Sequence, residues 1–79
     1  MIRPGQIYQL PITKGLAAVV DVEDTGSELD WVKFIFDDGS TERLWKQTVA
    51  KELKLISEHG TWEEAVNSEE FRKQIDKTN

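Results

Sequence analysis

The chain has no cysteine among its 79 residues, only two prolines, and a single histidine. Without cysteine there is no disulfide staple, no thiolate zinc site and no thiol nucleophile, so an apolar core has to hold the fold. Long apolar runs are missing too. The longest, Leu16-Ala17-Ala18-Val19-Val20, falls far short of the ~20 residues a membrane-spanning helix needs. Residues 1–10 are interrupted by Pro4 and Gly5 and do not supply the ~7–15 apolar residues of a signal peptide. A cytoplasmic location is therefore the expectation. Positive charge is in short supply: ten Lys and Arg against fifteen Asp and Glu leave a net charge of -5. That balance disfavours non-specific nucleic-acid binding, which draws on cation–phosphate contacts, although a local basic stripe can survive it.

What remains reads as one small domain over residues 1–79. A chain of this length buries only about 60% of its unfolded surface, so each large apolar side chain counts. Residues 5–57 alternate short β-rich runs with turn residues, and residues 61–77 read as helix. Five strands are predicted: Gln6–Leu10, stopped by Pro11; Leu16–Glu23; Asp30–Asp37, with the clearest alternation; Thr41–Lys46; and Leu53–Ile56. Between the last two, Gln47–Glu52 suits a single helical turn. The expected class is mainly β, with a C-terminal tail of one or two short α-helices.

The turn Asp37-Asp38-Gly39-Ser40 sets the register of the third and fourth strands. A two-residue Asp38-Gly39 loop would place Phe34 on the side of Arg43 and Val32 on that of Trp45. A three-residue loop, with Gly39 in the left-handed bulge position, sets Val32 opposite Leu44 and Trp31 opposite Trp45. The second register pairs apolar with apolar twice and is the one predicted. One face of the sheet should then carry Ala18, Val20, Val22, Val32, Phe34, Phe36 and Leu44 as the interior. The other carries Val19, Trp31, Ile35 and Trp45, mixed with Lys33 and Arg43, and is too apolar to be left to water without a reason.

The tail offers one. Thr61-Trp62-Glu63-Glu64 matches a capping box, and Ser68-Glu69-Glu70 offers a second helix start. Helices over Trp62–Asn67 and Glu69–Lys77 are predicted, with Trp62/Val66 and Phe71/Ile75 as apolar pairs. Helices this short need a dock, and the outer sheet face is the obvious one.

The order of five short strands, a tight hairpin between the third and fourth, and a helical turn before the last resembles the SH3-like barrel in its small Tudor-like and KOW-like variants. Carrying it are Pro4-Gly5-Gln6-Ile7-Tyr8, residues 15–23, the Asp37–Ser40 hairpin and Leu53-Lys54-Leu55-Ile56. The resemblance covers residues 4–57, leaves the tail outside, and has the character of small bacterial or phage proteins. It implies a five-stranded barrel. The Ala-Leu-Tyr-Asp-Tyr pattern of proline-rich-peptide binders is absent, so that ligand class does not carry over.

No catalytic residue is assigned. His59, between Glu58 and Gly60, reads as a linker histidine, and the scattered glycines form no phosphate loop. Asp21, Glu23, Asp24, Glu28 and Asp30 crowd the second loop without the spacing of a calcium site, so they read as a solvated loop, with a weak cation site as the alternative, and could serve as a steering patch for a basic partner. No metal or cofactor is expected. The candidate interaction surface is Tyr8, Trp31, Lys33, Arg43 and Trp45, because indoles beside cations suit stacking on a peptide or a base. Two alternatives compete with it: Trp31 and Trp45 lie under the tail with Trp62, and Tyr8 is a core-edge residue. The expected function is a non-catalytic, monomeric module binding another protein through an aromatic or acidic surface. Alternatives are a nucleic-acid-binding barrel using Lys33 and Arg43, or a structural or regulatory subunit whose tail docks on a larger assembly.

Overall fold

The computed structural model describes the backbone of residues 1–76 and the side chains of residues 1–72. Five strands form: β1 (Gln6–Gln9), β2 (Leu16–Val22), β3 (Trp31–Phe36), β4 (Thr41–Trp45) and β5 (Lys54–Glu58). With them go three helices, α1 (Lys46–Glu52), α2 (Trp62–Val66) and α3 (Glu69–Asp76). All strand pairings are antiparallel, in the order β4-β3-β2-β1-β5. The sheet is unclosed, with β4 and β5 as its edges, so the fold is mainly β but the hydrogen bonding does not close a barrel.

The β3–β4 hairpin has the predicted register. Trp31 stands opposite Trp45 and Val32 opposite Leu44. Gly39 has φ +89°, a conformation glycine adopts without steric cost, and its N–H donates to the Phe36 carbonyl at 2.9 Å. Ser40 is fixed through the Asp38 carboxylate, which accepts its N–H at 2.8 Å and its hydroxyl at 2.6 Å.

The expected assignment of faces in β2 needs correction. Ala17 lies opposite Phe36 and Val19 opposite Phe34, but Asp21 lies opposite Lys33 and Val22 opposite Val32. One extra residue, Val20, interrupts the ladder, and such a bulge exchanges the faces on either side of it. Val19 therefore belongs to the interior with Phe34, while Ala18 joins Ile35 on the opposite face. Val22 keeps its expected side.

Each face has its own apolar cluster. On one, Tyr8, Ala17, Val19, Val32, Phe34 and α1's Val49 are buried, with Ile2, Val22, Phe36, Leu44 and Leu53 packed against them. On the other, Ile7, Leu16 and Ala18 meet Ala65 of α2 and Phe71 of α3, with Ile35 and Val66 alongside. The tail thus docks on its own sheet, over β1 and β2. Thr61 caps α2 as expected, its hydroxyl accepting the Glu64 N–H at 3.2 Å. The Ser68 hydroxyl instead donates to the Ala65 carbonyl at 2.6 Å, tying the two helices at their joint. The expected contribution of Ile75 and the helix end at Lys77 lie outside the described residues.

Helix α1 is longer than the single turn expected. Val49 anchors it in the core, and the second loop supplies its start: Lys46 N–H donates to the Asp30 carbonyl at 2.9 Å and Gln47 N–H to the Glu28 carbonyl at 3.2 Å. These bonds satisfy donors that a helix N-terminus leaves unpaired, in place of a side-chain cap.

Candidate functional site

Four of the five candidate residues come together and one does not. Register places Trp31 and Lys33 of β3 beside Trp45 and Arg43 of β4, on the face that carries Ile35. The Arg43 guanidinium sits over the Trp31 ring, 4.7 Å from its centroid, in cation–π range. Trp31 is half-buried, whereas Trp45 keeps 53% of its surface exposed. Together with Leu44, these three residues line a shallow depression at the edge of the sheet. Lys33 is half-buried and lies between Asp21 and Arg43 in the cross-strand row.

Coverage of this face is divided along its length. The Ile7, Leu16, Ala18 and Ile35 end lies under α2 and α3. Trp62 is half-buried on α2, and among the described residues no tail residue lines the depression at Trp31 and Trp45. Among the described residues, the tail closes one half of the face and leaves the indole–guanidinium half open.

Tyr8 is a correction. It is 7% exposed and belongs to the core, edge-on to Phe34 with ring centroids 6.0 Å apart. Its hydroxyl donates to Gln6 Oε1 at 2.8 Å, and burial pushes its pKa up, with Glu58 adding in the same direction. The β1 pairing explains this: Tyr8 lies opposite Ala17, whose side of the sheet is the Val19–Phe34 interior.

The acidic loop is also not uniformly solvated. Asp30 is 2% exposed, and its carboxylate organises the residues before it. It accepts the Thr25 hydroxyl, the N–H groups of Thr25 at 2.8 Å, Gly26 at 3.1 Å and Ser27 at 3.3 Å, and Lys46 Nζ at 3.4 Å. The Thr25 hydroxyl is the main cause that holds its pKa down at about 2, with the Thr25 N–H and Lys46 acting in the same sense. Asp30 is the structural residue that sequence reasoning missed. Its signal was the run Thr25-Gly26-Ser27, small hydrogen-bonding residues within reach of a following aspartate.

His59 is more than a linker. Its Nε2 lies 3.0 Å from Glu70 Oε1, which also accepts the Ser57 hydroxyl. Ser57 first and His59 second keep the Glu70 carboxyl below its ordinary range. The pair fastens α3 to the end of β5.

Among the described residues no cluster of His, Cys, Asp or Glu has the makings of a metal site, and no helix is long and apolar enough to cross a membrane. Comparison with protein families, with curated proteins and with solved structures finds no match for this chain.

Proposed function

We propose that the protein is a non-catalytic interaction module of the SH3-like type that binds another protein through Trp31, Lys33, Arg43 and Trp45. The observation that carries this reading is Trp45. A domain of this size needs its large apolar groups for burial, yet it leaves an indole more than half exposed beside a guanidinium already stacked on a second indole. The tail covers the neighbouring half of the same face, so the open half is not simply a sheet lacking a cover. Support for the SH3-like arrangement comes from the order of elements, with a tight β3–β4 hairpin and a helix before β5, and from bulges that coil the sheet.

The test is capture of binding partners from the source cell by the wild-type chain and by Trp45→Ala. Trp45 is largely outside the core, so the variant should stay folded, with stability changed by no more than about 1 kcal/mol. A partner held by the wild type and lost from the folded variant is the expected result. Equal capture by both would remove this surface from consideration. Capture that disappears steeply with added salt and with nuclease would favour the nucleic-acid reading.

A further inference from the structure

The free edge of β4 combines three features that point to one kind of ligand. The first is backbone. Phe36 N–H donates to the Ser40 carbonyl at 2.8 Å, which makes that pair a hydrogen-bonded one. In an antiparallel ladder the bonded pairs alternate, so Glu42 and Leu44 turn their backbone groups toward β3, and Thr41 and Arg43 turn theirs outward. The Trp45 N–H also points outward. Among the described residues no strand lies beyond β4 to take these groups.

The second feature is a groove on the face opposite the tryptophans, between the β3–β4 hairpin and the turn that joins β1 to β2, with Glu42 and Leu44 of β4 on its near side. Leu10, Phe36 and Leu44 form its floor, and Asp37, Asp38 and Glu42 its rim. Among the described residues no ion pair reaches any of these three carboxylates. An added strand would lie about 4.8 Å from β4, with every second side chain on the groove's side of the sheet, beside Glu42 and Leu44. Basic side chains there would meet the rim, and the apolar stems of lysine or arginine would rest on the floor.

The third feature argues against a second copy as the occupant. Outward-facing residues pair in antiparallel registers centred on residues 41 to 45. Those centred on 41 and 45 run at once into the turn or into α1, leaving 42, 43 and 44. The first sets Glu42 against Glu42 and the second sets Arg43 against Arg43, both of them like charges directly opposite. The third pairs only residues 43–45 before α1 begins. The edge is open but charged against itself, a common way of keeping a sheet edge from its own kind.

We propose that β4 takes an extended basic segment of a partner protein as a sixth strand, its alternate cationic side chains lying against Glu42 and, toward the turn, Asp38. The pairing groups are backbone and the charged contacts lie on the face opposite Trp31 and Trp45, so Trp45→Ala leaves them in place and either proposal can fail without the other.

The test uses the intact chain and synthetic octapeptides: alternating lysine–valine, alternating glutamate–valine, and a lysine–valine peptide N-methylated on its pairing edge. Backbone amide NMR shifts and hydrogen exchange are read on titration. The expected result is that the lysine–valine peptide shifts residues 37–45 and slows exchange at Arg43, and that the other two peptides do neither. Glu42→Lys, on an exposed side chain, should weaken the lysine peptide about fivefold while the thermal transition is retained. No shift in β4 at millimolar peptide would overturn the proposal, as would equal binding of the N-methylated peptide. A concentration-dependent dimer of the free chain that protects the Arg43 amide would also overturn it, assigning the edge to a second copy.

Discussion

Replacing Phe71 by alanine asks whether α3 is part of the domain or an accessory to it. The ring is 2% exposed and packs in the cluster of Ile7, Leu16, Ala18 and Ala65. Burying a phenylalanine contributes about 1.5–3 kcal/mol by transfer alone, and the cavity left behind brings the cost of Phe→Ala to about 3–5 kcal/mol. A 79-residue domain has a total stability of about 4–12 kcal/mol, so the variant loses a large share of it. At roughly 4–8 °C per kcal/mol, the midpoint should fall by about 12–40 °C. Urea unfolding followed by far-UV circular dichroism and tryptophan fluorescence measures the change, since half-buried Trp62 on α2 reports on the tail. Phe71→Leu, which keeps most of the apolar volume, should fall between the variant and the wild type. A loss below about 1 kcal/mol for Phe71→Ala, with the urea slope unchanged, would mean that the second core is not what holds the tail.

Two further outcomes follow from the backbone and from charge. Gly5 has φ +98°, and a Cβ there would lie 2.3 Å from the His59 carbonyl oxygen, whereas Gly39 has φ +89° with open space around it. Gly39→Ala should show only the conformational cost of about 1–2 kcal/mol, and Gly5→Ala distinctly more; equal midpoints in thermal melts would contradict the close approach. Asp30 is held at about 2 against an ordinary value of 3.8, so its ionised form is favoured by folding. The stability it contributes is fully present above about pH 4 and is lost as pH falls toward 2. Melts at several pH values across that window should show a shallower dependence for Asp30→Asn than for the wild type. Parallel curves would place the acid sensitivity elsewhere.

Strand positions, the hairpin register and the tail helices were legible because each has a local physical marker. Gly39 supplies the left-handed residue that a three-residue hairpin requires, and Thr61 the cap that starts α2. The face assignment of β2 had no such marker. Leu16 to Val20 are all apolar, so no alternation shows where the ladder skips a residue, and the bulge at Val20 emerges only from the pairing with β3. The choice between a surface and a core-edge Tyr8 stayed open for the related reason that its side depends on β2, its neighbour in the sheet. The first turn is misleading in another way: Lys14, not the adjacent Gly15, takes positive φ, at +62°. At the candidate site, the adjacency of Trp31, Arg43 and Trp45 followed from hairpin register alone. How far the tail would reach across them did not, because it depends on which sheet residues Phe71 and Ala65 select.

The two coats of apolar packing are unequal in extent. The strands at the centre are insulated above and below, while among the described residues the Trp31–Trp45 end of the β3–β4 hairpin has insulation on one side only. Opening that hairpin sacrifices far less buried area than opening the centre, so its amide hydrogens should trade with solvent first and independently of global unfolding. A visitor can therefore be accommodated by small adjustments at the thin end of the protein while the thick end keeps its shape.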